Sequence, residues 1–348
     1  MKRLISYFCV LLTLSCSESS PDDHTIRFDK SSKMLNFKEV GSVTLESDSV
    51  TIGAIDKLHI YDDSYFVIDS RYSKNVWQFT KDGKFIKSFV KHGGGPFEIQ
   101  DLFDFYIYNS ELYILGRTGG RIKIIKHDLV SGKVFEYYPY ENKNGLVSQI
   151  KVDAKYIYLA KDNNFSSDYY ITVLNHDFQF LSDLSEKSEK IPEVNKYVNL
   201  GRRQTTGFIG NNFYYAGIYD HYLFSFNSAK KYDFGQYLKP YDPGIMSKLK
   251  KLNFENKFTK QQDIIEDYGY LVTVLNDGHH FFVIAAGRKT PFLYNLQERV
   301  VYKINPAELI NKYEKGIMVI GPIAFKDSTL YFYERIDNTS TITMYRVI

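Results

Sequence analysis

Cysteine is nearly absent. The 348 residues hold two, Cys9 and Cys16, and both lie near the N-terminus. A mature chain starting at Cys16 has no disulfide, so its stability must come from a packed core, which a chain of this length can build. It also has no free thiol to act as a nucleophile if Cys16 is acylated. Charge of one sign is missing too. The net charge is +3, and +1 without Lys2 and Arg3, which excludes a nucleic-acid binder driven by bulk charge. Beyond Leu14 no apolar run approaches the length of a membrane span. No G-x-S-x-G elbow, Walker loop, dinucleotide fingerprint or H-E-x-x-H motif occurs. His279 and His280 are adjacent on a strand, point to opposite faces, and lack a companion carboxylate cluster. Neither a metal nor a cofactor is expected.

Aromatic residues are abundant: 30 Tyr and 26 Phe, against Trp77 as the single Trp. They recur in a pattern. A turn rich in Asp, Asn, Ser or Gly leads into an aromatic-aliphatic run six times, at Asp62–Ile68, Asn109–Leu115, Asp153–Leu159, Asn211–Tyr215, Asn276–Val283 and Lys326–Phe332. The first apolar positions, Tyr65, Leu112, Tyr156, Phe213, Phe281 and Leu330, are 47, 44, 57, 68 and 49 residues apart. Short strands at such a period predict an all-β fold, a six-bladed β-propeller of four-stranded antiparallel blades. Tyr106, Tyr108, Tyr113, Tyr156, Tyr158, Tyr214 and Tyr215 offer either a stacking surface for carbohydrate or bulky wedges between blades; strand alternation favours the wedges.

Blade one shows the unit in full, with strands at Ala54–Tyr61, Tyr65–Asp69, Asn75–Thr80 and Phe85–Val90, the last two joined through Asp82-Gly83, a tight-hairpin pair. Blade six runs out of chain before its fourth strand. The spare strand near Phe37–Leu45 is predicted to fill that place and close the ring. Two small helical insertions are expected, one from Met246 to Glu266 and one at Asn305-Pro306-Ala307-Glu308, where Asn suits a helix cap and Pro the first turn. The domain plan is thus a signal at 1–15, a tether at 16–35 and the propeller at 36–348.

The signal has a basic start, Lys2-Arg3, and the short apolar run Leu4–Leu14, ending at Ser15-Cys16. It resembles a bacterial lipoprotein signal with Cys16 as the lipidated first residue, although Thr13 and Leu14 depart from the strict motif. Acyl chains on Cys16 would then be the membrane anchor, at ~0.8 kcal/mol per buried CH₂, and the cell envelope, with the outer membrane as the expected site, the location.

At Lys91-His92-Gly93-Gly94-Gly95-Pro96-Phe97-Glu98-Ile99 the chain resembles the six-bladed propeller lipoproteins of Bacteroidetes, related in architecture to NHL-repeat proteins. Their G-x-G-P-G-E-[FY] stretch is matched at Gly93, Gly95, Pro96 and Glu98, with Phe97 in place of Gly and Ile99 in place of the aromatic. The resemblance covers residues 37–348 and the lipidated start. It implies an envelope protein and carries no catalytic residue onto this chain. By itself the loop reads either as an anion nest of backbone N–H groups or as a tight crossover between blades.

Aligning the blades exposes a cation after the second strand: Arg71, Arg117, Lys161, Arg288 and Arg335. Blade four offers Asp220-His221 instead. If the blades are equivalent, these groups gather at one mouth of the channel, where arginine forks suit carboxylate, sulfate or phosphate. His92, beside the glycines, and His221 are the candidates for a general acid or base. The function expected is noncatalytic binding of a glycan, peptide or protein, with an anionic ligand favoured by the arginines. The alternative is a lyase or hydrolase whose catalytic groups come from separate blades.

Overall fold

The computed structural model describes residues 25–28, 33–46, 51–139, 147–161, 169–186, 206–216, 222–226, 230–234, 247–248, 251, 271–285, 291–305, 307, 318–336 and 339–348. Blade one comprises Lys57–Tyr61, Ser64–Asp69, Asn75–Thr80 and Phe85–Ser88; blade two Asp101–Tyr108, Glu111–Thr118, Arg121–Asp128 and Val134–Tyr137. Blade three is Val147–Val152, Ile157–Lys161, Tyr169–Leu174 and Phe180–Glu186; blade four Thr206–Ile209, Asn212–Tyr215, Tyr222–Ser225 and Lys231–Asp233. Blade five is Leu271–Asn276, His280–Ala285, Phe292–Asn295 and Val300–Asn305, and blade six Met318–Lys326, Thr329–Ile336 and Thr339–Val347. Within each blade successive strands are antiparallel neighbours.

The recurring turn has a backbone cause. Between the first two strands of blades one, two and six, both loop residues are left-handed: Asp62 and Asp63 (φ 45° and 55°), Asn109 and Ser110 (47° and 61°), Asp327 and Ser328 (51° and 57°). That is what a two-residue type I′ hairpin demands, and Asn and Asp tolerate it better than most residues. Blades three and five use an Asx turn. Asp153 Oδ1 accepts the N–H groups of Lys155 and Tyr156 at 2.7 and 2.8 Å, and Asp277 Oδ1 those of His279 and His280 at 3.0 and 2.8 Å.

The ring is closed by the N-terminal segment, as the missing fourth strand predicts. Phe37–Thr44 pairs antiparallel with Thr341–Val347, the third strand of blade six. The same strand begins one blade earlier, where Met34–Asn36 runs parallel to Lys303–Asn305 of blade five. Thr25–Arg27 pairs in parallel with Lys231–Asp233 on the outer edge of blade four. Past the closing strand, Glu46 N–H donates to Gly83 O and Glu46 O accepts from Phe85 N–H of blade one, at 2.8 and 3.1 Å. Gly83 is required there: a Cβ would fall 1.9 Å from Thr44 O. Ordered pairing thus begins within the stretch 16–35 that the sequence suggests as tether.

Apolar burial sits between blades. One cluster joins Leu58, Tyr65 and Trp77 of blade one to Ile323, Tyr333 and Ile342 of blade six. Comparable clusters lie at the boundaries of blades one and two, two and three, three and four, four and five, and five and six. Tyr113, Tyr158 and Tyr214 are buried in them, and the Tyr158 ring stacks on Phe213 of the next blade at 4.1 Å and 9°. These tyrosines are wedges. Of the expected helical insertions only Ser247, Lys248, Lys251, Asn305 and Ala307 belong to the described residues. Asn305 Oδ1 accepts the Ala307 N–H at 3.2 Å, as a cap would.

Candidate functional site

The described cations that follow second strands each have a protein partner. Arg71 Nε lies 2.9 Å from Asp56, Arg117 Nη2 2.7 Å from Asp101, and Lys161 Nζ 3.2 Å from Asp183. Arg335 Nη1 donates to Gly53 O across the junction of blades six and one at 3.1 Å. Asp69, fully buried, accepts the N–H groups of Gly53, Arg71 and Tyr72 and the hydroxyl of Ser73, so these groups tie the loops of this rim together. Arg71 keeps 61% of its side chain exposed and remains accessible from solvent. Asp220, His221, Arg288 and Cys16 lie outside the described residues.

The glycine loop is filled from within. Glu98 Oε2 accepts the Gly95 N–H at 2.8 Å. A Cβ on Gly93 would meet that oxygen at 2.1 Å, and one on Gly95 at 3.1 Å. The carboxylate therefore occupies the place an external anion would take. Phe97 has φ 56°, which explains why a glycine suits this position in the related motif. Beneath the loop the Lys123 side chain, with no solvent exposure, donates to Gly95 O, Glu98 O and Glu136 Oε2 at 3.1, 3.0 and 3.0 Å. The Phe97 N–H also reaches Glu136. His92 is exposed, in a two-residue parallel pairing of Lys91–His92 with Glu98–Ile99.

A different set of residues converges in the channel. The innermost strands of all six blades line a cavity of ≈ 450 Å³. Its lining comes mostly from the later parts of those strands and reaches the Asp277-Gly278 turn, so it lies toward the rim of the first hairpin turns, opposite the arginines. Tyr106 and Phe208 form an aromatic wall, their centroids 6.0 Å apart, and His59 meets the Tyr106 ring edge-on at 5.5 Å. Thr206 Oγ1 donates to Gln149 at 2.7 Å. Gly207 leaves space for Asn276, whose Nδ2 sits 2.6 Å from where a Cβ would be.

Three lysines act on this cavity. Lys57 Nζ pairs with Asp104 Oδ1 at 2.8 Å and donates to Phe105 O at 2.6 Å; Asp104 Oδ2 accepts the Ile150 N–H at 2.9 Å. Lys151 Nζ lies 5.1 Å from the Tyr106 centroid, and among the described residues no carboxylate stands within ion-pair distance of it. Lys326 is exposed at the rim. Burial, then the charge of Lys57, push the Lys151 amine down to about 7, against the opposing pull of Asp104. Burial, followed by Lys57, Lys151 and Lys326, pushes His59 down to about 3, so it is neutral at physiological pH. Burial acts to raise the Asp277 pKa, but hydrogen bonds from the His280 ring and the His279, Ser328 and His280 N–H groups prevail and hold it at about 2.

These shifts set an acid limit on stability. His59 and His127, the latter lowered to about 4 by burial and then Lys87, take up protons in the unfolded chain before the folded one. Their contribution is complete above the unfolded value of 6.5 and fades as pH falls toward the folded values. Asp277 also has a lowered folded pKa, so its contribution is present above 3.8 and lost as pH falls through about 2. Urea midpoints are expected to drop steadily below about pH 6.5. His127→Phe, which keeps the edge contact with Phe89, should flatten the decline between about pH 6.5 and pH 4.

Sequence reasoning missed the channel set. The available signal was the alternation Leu58-His59-Ile60 and Ile150-Lys151-Val152 in the first strand of a blade, where the polar face turns inward once the ring closes.

A closed ring of six blades with inter-blade cores and an axial cavity defines a six-bladed β-propeller. The chain belongs to the DUF5128 family, described as a 6-bladed beta-propeller, whose profile matches residues 17–330. A crystal structure of a Bacteroides fragilis NCTC 9343 protein, provisionally named as exported, is similar at TM-score 0.67 and 14% identity, over 93% of this chain and 99% of that one. A nidogen/laminin complex (TM-score 0.44, 10% identity, 79% and 80% covered) and a luciferin-regenerating enzyme (0.45, 11%, 88% and 95%) are more distant and carry no functional argument. No curated protein sequence matches this chain.

Proposed function

We propose that this chain is a cell-envelope lipoprotein, anchored by acyl chains on Cys16, whose propeller binds an extracellular or periplasmic glycan, peptide or protein without transforming it. The observation that carries the binding reading is the axial cavity of ≈ 450 Å³, large enough for a small ligand or one residue of a polymer, with an aromatic wall at Tyr106 and Phe208. The provisional name of the Bacteroides fragilis protein and the apolar segment before Cys16 support export.

A screen of the purified chain against glycans and peptides tests the binding reading. Binding without turnover is expected, with chemical-shift changes at Tyr106 and Phe208. Product formation would favour a lyase or hydrolase instead. Cys16→Ala is expected to move the protein from the membrane fraction to the soluble one; retention in the membrane would rule out lipidation as the anchor.

A further inference from the structure

The geometry points to Lys151 as the anchor for a carboxylate-bearing ligand, one whose ring or apolar body lies against Tyr106 and Phe208. This rests on the axial cavity being the binding site. The argument begins with charge bookkeeping in a low-dielectric space. Lys57, next to the lining residue Leu58, brings a cation near the cavity, but Asp104 neutralises it at 2.8 Å and the Phe105 carbonyl accepts a second N–H. Lys57 also acts on Lys151 by charge, which disfavours an ammonium at Lys151 in the free protein. An ammonium at Lys151 is a buried charge with no carboxylate beside it in the described structure, which is costly in the absence of a counter-ion.

One uncompensated site calls for one negative charge. The other groups facing the cavity do not supply it or compete for it. His59 on blade one stays neutral, and Tyr106 on blade two has its pKa raised by burial and then by nearby acidic charge. The stretch of blade four that lines the cavity, Thr206, Gly207 and Phe208, is uncharged. On blade five Asp277 is committed to the hydrogen bonds of its own turn and of Ser328. On blade six Lys326 adds a solvent-screened positive charge at the rim. A dianion such as phosphate would meet one available buried cation, whereas a carboxylate meets a matched partner. Asn276 stands in the lining as an additional polar group, and the Tyr106–Phe208 wall suits the face of a sugar ring.

Binding then carries a proton. The carboxylate stabilises the ammonium form, so Lys151 takes up a proton from solvent as the ligand enters. Affinity is flat at pH values where Lys151 is already protonated in the free protein. Above that it declines by about tenfold per pH unit.

The test follows the titration of Lys151 itself, by NMR of the purified chain labelled with ¹³C at lysine Cε, the resonance assigned by its loss in Lys151→Met. Sodium glucuronate and acetate are the probes and glucose is the neutral control. Glucuronate is expected to raise the Lys151 midpoint by about 1–3 pH units, and glucose to leave it unchanged. By calorimetry Lys151→Met should lose glucuronate binding, and Lys151→Arg, with a charge that does not titrate, should retain it without the pH dependence. If neither glucuronate nor acetate moves the midpoint, or if Lys151→Met binds glucuronate as the parent does, the assignment of Lys151 is overturned. If in addition a neutral glycan shifts Tyr106 and Phe208 while glucuronate leaves the Lys151 midpoint in place, Lys151 is overturned and the cavity stands as a binding site.

Discussion

A chain beginning at Thr51 is expected to be unable to form the propeller, while one beginning at Thr25 melts as one beginning at Ser17 does. The shorter chain loses the strand Met34–Thr44, which occupies the fourth position of blade six and also pairs with blade five. It loses Phe37, 3% exposed, whose ring meets Phe282, Phe332 and Tyr345 at 6.2, 6.2 and 6.1 Å. It loses Phe28, which meets Tyr294 at 4.7 Å between blades four and five. Removing one buried Phe side chain costs about 3–5 kcal/mol, and a domain's whole net stability is about 5–15 kcal/mol. The two rings and the strand together therefore rival the total. The strand Thr339–Val347 would also become a free edge, so aggregation should accompany the loss. Circular dichroism melts and size-exclusion profiles of the two chains read this directly. The point variant Phe37→Ala gives a graded version, with a urea midpoint lowered by an amount equivalent to about 3–5 kcal/mol. A cooperative melt of the Thr51 chain at the parent temperature would refute the closure argument.

The ring was legible in the sequence because its cause is local. Type I′ and Asx turns need Asp, Asn, Ser or Gly at fixed places, and Asp62-Asp63, Asn109-Ser110 and Asp327-Ser328 supply them. The closing strand was legible by subtraction, since blade six lacks one strand and Phe37–Leu45 has no other home. The groups of the channel were less legible, for a geometric reason. Lys57, Asp104 and Lys151 lie on three blades and are separated by 47 residues in each step. In one dimension each looks like the solvent face of an amphipathic strand; only closure of the ring turns those faces toward each other. The arginine ring stood out in the alignment because it repeats, yet repetition also marks what every blade needs. The pairing of Arg71 with Asp56, Arg117 with Asp101 and Arg335 with Gly53 O ties second strands to the segments entering innermost strands. No lysine stands at the place of Lys151 in the first strands of the other blades, so no repeat in the sequence points to it.

The glycine loop supplies the second large effect. Lys123→Met is expected to cost about 3–5 kcal/mol, the range for removing one partner of a buried ion pair. Methionine fills nearly the same volume, so the loss isolates the ammonium. Without it the carbonyls of Gly95 and Glu98 lose one of two donors each, keeping the Glu98 N–H and the Thr118 hydroxyl, and the Glu136 carboxylate loses its cation. The loop connects blades one and two, so its loosening should be felt beyond its own turn. Glu98→Ala is a milder probe. It frees the Gly95 N–H, which is only half-buried and can bind water, so about 1 kcal/mol is expected. Phe97→Gly acts in the opposite sense. It relieves a left-handed residue at φ 56° with an exposed ring, worth about 1–2 kcal/mol, less the entropy that glycine adds to the unfolded chain. Urea denaturation of the three variants should thus order them as Lys123→Met, Glu98→Ala, parent, Phe97→Gly. If Lys123→Met matched Glu98→Ala, the buried ammonium would not be what holds the crossover, and the loop would owe its shape to the glycines alone.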